Sequence, residues 1–317
     1  MPIESFRGDF AALAGIMEAS WSLNNEPALL FTEDFLRSAF EYPGSSFALA
    51  PAQYTDDGIV GFCAALPRNV RMGGRDIRLA VTTFLTTSRR LRGTGDGVAL
   101  WGETVERARA AGYEGVINFC VEGDNMQRMM PWVGEFFRLN TREICRVEYL
   151  SRFLRPVAEK QTAPATDAEI EMFLDLANTS LPSLSLARIW RLEEAVWQCR
   201  SRAGAIAVSL ENEGRRGLLT GYVVTVVGNP PVPVALIDDI FWGSLEDAER
   251  ARLLQSFLAA AASKGARSVS CPNLGYSSMA PFTAAAFRPS KRVLHTWLTL
   301  WNGLEPEPVS SLYIDVF

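Results

Sequence analysis

The sequence predicts an α/β protein that is folded as two tandem halves, each with a central mixed sheet. Segments with strand-like alternation and segments with helical spacing of apolar residues follow one another through most of the 317 residues. A meander of three strand segments precedes the first long helix, and a similar order of elements returns later in the chain. We assign residues 1–155 to the first half and 169–317 to the second. The segment between them, 156–168, is a linker because it has two prolines and no apolar period.

The first half is predicted to contain a strand, two helices, the meander, and then alternating helices and strands. Asp57-Gly58 and Gly73-Gly74 separate the meander strands, since these dipeptides accept the positive φ of hairpin turns. Asp124 or Asn125 caps the last helix, and Gly112 ends the one before it. The predicted elements are a strand at 3–6, helices at 9–21 and 32–40, strands at 46–54, 59–71 and 75–87, a helix beginning near 98, a strand at 114–121, a helix from 125 and a strand at 136–150.

The second half repeats this order more weakly. Ser244, with Asp247 three residues later, resembles a capping box at the start of a long helix. The pair Asp238-Asp239 interrupts an apolar strand, and alternation predicts that at most one of the two carboxylates faces a pocket. The predicted elements are a helix at 169–178, strands at 203–210, 217–227 and 234–242, a helix that ends before 265, a strand at 267–271, a helix near 277–287 and a strand at 292–301.

Composition excludes several classes of protein. The net charge is −5 and the isoelectric point is about 5.2, so the chain lacks the basic footprint of a nucleic-acid-binding protein. The single histidine, His295, excludes a three-histidine zinc site, and we predict no metal site. Five widely spaced cysteines without a C-x-x-C pair are typical of reduced thiols. The sequence shows no signal peptide and no apolar run of about 18 residues, so we expect a cytoplasmic protein that does not bind membranes.

The sharpest feature is the segment 88–97, SRRLRGTGDG, which joins a strand to the start of a helix. Backbone N–H groups at a helix start lack partners within the helix, and the helix dipole adds positive charge, so this turn is predicted to bind an anion. Arg90 and Arg92 could add bidentate contacts to a phosphate. The segment is no Walker loop, because it has no lysine. Its G-x-G-x-G spacing also differs from the G-x-G-x-x-G dinucleotide fingerprint.

The pattern Arg90-x-x-Gly93-x-Gly95 after the fourth strand resembles the coenzyme A loop of the GCN5-related N-acetyltransferase (GNAT) superfamily. The resemblance covers about residues 2–150 and includes the order of elements around the loop. The stretch 83–87, leading into Arg90-Leu91-Arg92, also resembles the corresponding part of N-myristoyltransferase, a tandem member of the superfamily. The resemblance implies two tandem GNAT-like acyl-CoA N-acyltransferase domains. The second domain lacks the loop, so it is degenerate and would serve the acceptor side or a structural role.

The resemblance further implies an N-acetyltransferase that moves acetyl from acetyl-CoA to a primary amine by direct attack. The acceptor would be a small molecule or a peptide, and the oligomeric state stays open. The alternative is a non-catalytic acyl-CoA-binding or sensor protein with the same fold. In the superfamily the pyrophosphate lies on the loop amides, and the pantetheine lies along the fourth strand and near the asparagine. The implied coenzyme A contacts are Leu85, Thr86, Thr87, Arg90, Leu91, Arg92, Gly93, Thr94, Gly95, Asp96, Gly97 and Asn125.

The proton-transfer groups depart from the superfamily pattern. Many GNAT enzymes have a tyrosine acid seven residues after the asparagine, and this chain has Trp132 there. Glu122 is our candidate catalytic base because it follows the strand near the expected acyl group. The C-terminal carboxylate is the base in N-myristoyltransferase, and this chain likewise ends on a hydrophobic run, 312–317. We expect Cys120 and His295 to be structural.

Overall fold

All the long strands of the protein belong to one sheet. The computed structural model describes residues 1–21, 29–158, 163–181, 184–227 and 230–315. Within those residues fourteen strands are hydrogen-bonded into a mixed sheet that runs through both halves. The strands are β1 Ile3–Ser5, β2 Leu29–Leu30, β3 Pro51–Thr55, β4 Gly58–Met72, β5 Arg75–Thr87, β6 Gly115–Val121, β7 Asn140–Phe153, β8 Leu186–Arg188, β9 Ala205–Asn212, β10 Arg215–Val226, β11 Val232–Phe241, β12 Ser268–Asn273, β13 Arg288–Leu300 and β14 Leu312–Tyr313.

The helices lie between these strands along the chain. Side-chain caps fix several of their starts: the Thr32 hydroxyl accepts from the Phe35 amide at 3.2 Å, and Thr166 and Glu169 form a capping box. A 3₁₀ turn covers 47–49 and a π-helical turn covers 197–201. The helices are α1 Phe10–Trp21, α2 Glu33–Phe40, α3 Asp96–Ala110, α4 Asn125–Phe137, α5 Asp167–Ser180, α6 Leu192–Val196, α7 Asp247–Ser263 and α8 Ala280–Ala284.

Most predicted elements are present, and the strand predicted at 75–87 is confirmed as β5. The strand predicted at 46–54 begins only at Pro51, because the Ser46 hydroxyl caps the 3₁₀ turn before it. The strand predicted from 136 begins at Asn140, since α4 continues to Phe137. The predicted capping box of Ser244 and Asp247 is wrong. Glu246 caps α7 instead, in a box with Glu249.

The two halves exchange strands at the middle of the sheet. The order is β1-β3-β4-β5-β6-β13-β7-β12-β11-β10-β2. Strand β13, from the second half, lies between β6 and β7 of the first half, and it is antiparallel to both. Strand β7 in turn lies between β13 and β12. Each half therefore completes the sheet of the other, where the sequence had predicted a mixed sheet in each half.

Helices α3 and α4 cover one face of the sheet. Trp101 of α3 and Met130 and Val133 of α4 are fully buried, and they pack with Trp297 of β13 in one apolar cluster. Helices α1 and α2 form a second cluster that includes residues of β10, where the Phe35 and Tyr222 rings lie 6.0 Å apart. Burying such aromatic and aliphatic side chains stabilises the fold by about 1.5–3 kcal/mol each. Phe136, near the end of α4, is in contrast 67% exposed.

Among the described residues, no helix combines the length and apolar character that crossing a membrane requires.

Candidate functional site

The loop between β5 and α3 is open and turns on two left-handed glycines. Gly93 has φ +76° and Gly95 has φ +88°, backbone conformations that glycine adopts without a steric penalty. A Cβ added to either residue would meet no other atom within 4 Å, and both residues are exposed. The loop therefore leaves space for a ligand directly against its backbone.

Several loop amides lack a backbone partner. Among the described residues, no backbone carbonyl accepts from the N–H groups of Gly93, Gly95, Asp96 or Gly97, and the Ala99 amide makes the first bond of α3, to the Gly95 carbonyl at 3.0 Å. Free N–H groups at the positive end of a helix dipole bind anions. The loop has the backbone that the predicted anion site requires.

The free amides are fewer than the resemblance implies. The Leu91 amide donates to the Ser88 carbonyl at 3.0 Å, and the Arg92 and Thr94 amides donate to carbonyls of the same turn at 3.3 Å. The first two bonds belong to a 3₁₀ turn at Arg89–Leu91, and the third closes the next turn around Gly93. Within the stretch 91–95, only Gly93 and Gly95 present an amide without such a bond among the described residues.

The loop's charged side chains are bonded to neighbouring elements. Arg90 donates to the Thr55 hydroxyl at 2.8 Å and pairs with Asp57, while Arg92 donates to the Ser20 carbonyl at 2.9 Å. Their expected contacts to a phosphate are therefore not preformed. The Arg90 side chain is 51% exposed, and an exposed pair is worth only about 0–1 kcal/mol, so it can be exchanged for a stronger anion.

Asp96 adds one negative charge beside the free amides. Its carboxylate accepts hydrogen bonds from the Thr94 hydroxyl and from Gln53 Nε2, the latter at 2.6 Å. These two donors, Thr94 first, hold the pKa of Asp96 below its usual range. The Asp96 carboxylate therefore stays ionised beside the free amides, and its charge works against an anion at the loop.

A gap, which we call the fork, opens between β5 and β6. The two strands pair in parallel from Leu79–Gly115 to Thr82–Asn118, and the pairing stops there. Beyond that point β5 continues beside β4, while β6 continues beside β13. The fork lies between residues 83–87 of β5 and 119–121 of β6. It presents strand edges to which an extended ligand can hydrogen-bond.

A β-bulge distorts β5 inside the fork. Phe84 and Leu85 together oppose the single residue Cys63 of β4, and Phe84 has φ +60°. Positive φ is uncommon for a bulky residue, and bulges of this kind re-aim a strand beside active sites. Leu85 and Thr87 are half-buried along the fork, and Thr86 has a buried hydroxyl with no partner among the described residues.

Helix α4 begins beside the outer end of the fork. Asp124 is its cap, accepting from the Gln127 amide at 2.6 Å, and Asn125 is exposed in the first turn. Of the two predicted caps, Asp124 is therefore correct. Trp132 is 46% exposed and packs edge-on against Phe136 at 6.3 Å. Its indole has no hydroxyl, so it cannot act as the tyrosine acid does.

The candidate base Glu122 lies at the outer end of the fork. It follows β6, and its side chain is 57% exposed. It lies four residues beyond Asn118, where the strands part, which is roughly 13 Å along an extended chain. A base at this position would receive a proton at the mouth of the fork and not at its closed end.

His295 and Cys120 lie side by side on β13 and β6, and both are buried. His295 Nδ1 is 2.9 Å from a carboxylate oxygen of Glu143, and Nε2 is 3.8 Å from Glu122. Burial, and next the charges of Asp124 and Glu143, raises the pKa of the Cys120 thiol. A thiol in this state is a poor nucleophile, in line with the structural role expected for it.

The acidic pair Asp238-Asp239 is buried completely, where the sequence predicted at most one carboxylate facing a pocket. The Gln198 side-chain amide donates to both carboxylates, at 3.0 and 2.8 Å, and Arg202 pairs with Asp238. The prediction that at most one of them faces a pocket stays a prediction. The partners that meet both carboxylates come from the π-helical turn at 197–201 and the residue after it. Local alternation along the strand does not reveal them. Burial, and next the charge of Asp238, raises the pKa of Asp239 to about 6.

This raised pKa predicts a pH dependence of stability. An unfolded aspartate has a pKa of about 3.9, so between about pH 4 and pH 6 the folded state holds a proton at Asp239 that the unfolded state has lost. The contribution of Asp239 to the free energy of unfolding therefore falls as the pH rises through this window, by on the order of 2 kcal/mol. Urea unfolding of the wild type and Asp239→Asn at pH 4.5 and pH 6.5 measures it. The variant should lack this decrease, and equal pH dependences would contradict the assignment.

The second half has a similar gap, between β11 and β12, but tyrosine side chains of the protein fill it. β11 and β12 pair only from Val234–Ser268 to Leu236–Ser270. Beyond that point Tyr276 accepts from the Ile240 amide at 2.9 Å, and Tyr313 donates to Asp239 at 2.7 Å. These tyrosines occupy donors and acceptors that a ligand would need.

The loop after β11 is also closed. A Cβ on Gly243 would lie 2.1 Å from the Arg216 carbonyl oxygen. The Glu246 amide at the start of α7 donates to Glu249, at 3.0 Å. The backbone at Gly243 is covered and the Glu246 amide is bonded to protein, which argues against anion binding here. That the second half is degenerate for coenzyme A stays a prediction.

The end of the described chain is anchored in the protein interior. Asp315 is 2% exposed and accepts from Arg68 Nε at 2.8 Å, and it also pairs with Arg188. Arg188 donates further to the Tyr42 hydroxyl at 2.8 Å. The predicted C-terminal carboxylate itself lies outside the described residues, so its role stays a prediction.

Sequence reasoning missed several polar residues around the fork. Asn118 is 2% exposed at the point where β5 and β6 part, and Gln53 is the partner of Asp96. The available signal for Asn118 was a lone amide in the otherwise apolar stretch Gly-Val-Ile-Asn-Phe-Cys-Val. No signal marked Gln53, because its partner is 43 residues away.

The fold matches those of known acyltransferases. No protein-family model matches the chain, and no curated protein matches it significantly. The structure resembles that of Saccharomyces cerevisiae N-myristoyltransferase with bound myristoyl-CoA at a TM-score of 0.73 and 12% identity, covering 96% of this chain and 80% of that one.

Two bacterial structures are also similar. The GCN5-related N-acetyltransferase from Kribbella flavida matches at a TM-score of 0.52 and 16% identity, over 94% of this chain and 70% of that one. The one from Anabaena variabilis matches at 0.52 and 13%, over 94% and 72%. The chain therefore has the tandem GNAT-like fold, in the arrangement found in N-myristoyltransferase, as the sequence predicted.

Proposed function

We propose that the protein is an acyl-CoA-dependent N-acyltransferase that moves acetyl from acetyl-CoA to a primary amine. The observation that carries the proposal is the open loop, whose free amides of Gly93, Gly95, Asp96 and Gly97 lie at the end of the strand that forms one side of the fork. The loop would hold the pyrophosphate, and the edge of β5 at Leu85–Thr87 would hold the pantetheine. The likeness in fold to an N-myristoyltransferase crystallised with myristoyl-CoA supports this assignment.

The proposed reaction is direct acyl transfer. When bound, acyl-CoA supplies a thioester whose carbonyl carbon is open to attack. The acceptor nitrogen forms the new bond to this carbon and the C–S bond breaks. The nitrogen loses one proton and the sulfur gains one. Glu122 is the proposed final receiver of the nitrogen's proton, which has to travel from the attacked carbon to the mouth of the fork.

The proposed acyl length rests on the resemblance of the loop and not on a pocket. The cavity against Phe84 is about 10 Å³, the lower limit for a single water molecule, so it holds no acyl group of any length. We propose acetyl because the pattern Arg90-x-x-Gly93-x-Gly95 resembles the coenzyme A loop of the N-acetyltransferases. The acceptor is a small-molecule or peptide amine, without a role for nucleic acid or membrane.

One observation favours a second candidate function, that of a non-catalytic acyl-CoA-binding protein. Trp132 replaces the tyrosine acid, and Glu122 lies far from the closed end of the fork. A protein of this kind would bind acyl-CoA as a sensor and release no thiol.

Two measurements, made one after the other, test the proposed function. Calorimetry should show that acetyl-CoA and coenzyme A bind in a one-to-one ratio, while NADPH does not bind. Detection of free thiol across a panel of primary amines should then show amine-dependent release of coenzyme A. Binding without release with any amine would favour the sensor, and binding of NADPH in preference to coenzyme A would refute both functions.

A further inference from the structure

Two buried N–H donors without a partner lie together where the fork closes. Asn118 Nδ2 and Trp297 Nε1 are each buried, and neither has a hydrogen-bond partner among the described residues. Asn118 is the last residue of β6 that pairs with β5, and Trp297 is its direct partner on β13. Buried donors are almost always bonded, so a pair of neighbouring exceptions calls for an explanation.

The two side chains lie on the same face of the sheet. Directly opposed residues of antiparallel strands point to the same side, with Cβ atoms about 4.5–5.5 Å apart. Trp297 packs in the cluster beneath α3 and α4, and Asn118 bonds to Trp101 of that same cluster. Both donors therefore face the layer between the sheet and these two helices.

The orientation of the Asn118 amide is fixed by its other partner. Trp101 Nε1 lies 2.9 Å from Asn118 Oδ1, and the Thr82 hydroxyl bonds to the same oxygen. An indole N–H can only donate, so the atom facing Trp101 must be the amide oxygen. The Asn118 NH₂ group is consequently the free end, and it can only donate.

Resting on the proposed function, we propose that Asn118 and Trp297 donate hydrogen bonds to the carbonyl oxygen of the acyl group at the closed end of the fork. Two groups that only donate require an acceptor, and a carbonyl oxygen accepts two hydrogen bonds. Donors aimed at an acyl oxygen stabilise the negative charge that develops there during attack. Trp297 belongs to the second half, so the half without a coenzyme A loop completes the site of the other.

Trp297→Phe is the test variant, because it removes one free donor and keeps an apolar aromatic ring. The smaller ring leaves a cavity, but Nε1 has no protein partner among the described residues, so the variant should lose less stability than a tryptophan variant that also breaks a hydrogen bond. It should bind acetyl-CoA about fivefold more weakly than the wild type, the effect of one hydrogen bond, and bind coenzyme A unchanged. With an amine substrate, kcat should fall about 100-fold.

Infrared spectroscopy detects the proposed hydrogen bond from Trp297 to the acyl carbonyl without any turnover. A hydrogen bond to a carbonyl lowers its stretching frequency, so the infrared band of bound [1-¹³C]acetyl-CoA should move to higher frequency in Trp297→Phe. Trp301→Phe is the matched control on the same strand, because Trp301 Nε1 donates to the Tyr113 carbonyl at 2.6 Å. This control should lose stability and keep the wild-type band.

Each result decides for or against the inference. An unchanged band in Trp297→Phe, or equal weakening of acetyl-CoA and coenzyme A, would overturn it. If neither ligand binds the wild type, the proposed function fails instead, so the two failures are distinguishable.

Discussion

Gly93→Glu should weaken coenzyme A binding at least tenfold. The native residue has φ +76°, a conformation that costs a side chain roughly 1–2 kcal/mol. The new carboxylate would also stand beside the free loop amides and repel a pyrophosphate. Loss of one hydrogen bond to a charged group costs about 1.5–3 kcal/mol, which alone gives a factor of about ten or more. Calorimetric titration with coenzyme A measures the change in affinity.

Gly74→Glu is the control for backbone strain. Gly74 has φ +78°, is exposed in the turn between β4 and β5, and has no atom within 4 Å of an added Cβ. The strain at this residue is the same as at Gly93, but the turn has no role in the proposed site. Gly74→Glu should therefore bind coenzyme A as the wild type does. Equal affinities of the two variants would show that the loop does not bind the ligand.

Asp315→Asn should lower the free energy of unfolding by about 3–5 kcal/mol, the usual effect of removing one partner from a buried ion pair. Arg68 and Arg188 are both fully buried against this carboxylate. Burial alone would raise the pKa of Asp315, but the charges of Arg188 and Arg68 outweigh burial and lower the pKa to about 2. The variant leaves two guanidinium groups without their counter-charge. Urea unfolding followed by circular dichroism measures the loss.

Asp76→Asn is the matched control for this prediction. Asp76 pairs with Arg71 on the surface at 2.7 Å, where its side chain is 60% exposed. An exposed pair contributes between 0 and about 1 kcal/mol, so this variant should unfold close to the wild type. The depressed pKa of Asp315 also predicts a pH dependence of the free energy of unfolding. Asp315 stabilises the fold above about pH 4, and this stabilisation is lost as the pH falls toward 2. Two variants with equal losses would contradict the buried pair.

The sequence could predict the elements that turns delimit. The strand at 75–87 was correct at both ends because Gly73-Gly74 precedes it and the glycine-rich loop follows it. The boundary at Phe136 was wrong because apolar residues in a helix end and in a strand look alike over a short run. The Ser244 cap was wrong because Glu246 offered a competing carboxylate two residues later.

The sequence could not predict contacts between distant segments. The insertion of β13 between β6 and β7 depends on pairing across the whole chain, which local periodicity does not encode. The burial of Asp239 depends on Gln198 and Tyr313, and the free donor of Trp297 matters only because Asn118 lies opposite it. The open glycine loop, our proposed anion site, could be predicted because its residues are contiguous.

The exchange of strands has a consequence for biosynthesis. The half that carries the glycine loop cannot close its sheet until β13 has left the ribosome, because that strand fills the slot between β6 and β7. Contacts of such high sequence separation make folding slow. The facing edges of β6 and β7 therefore stay unpaired while about half of the chain is synthesised, a period in which unpaired edges favour association with other chains.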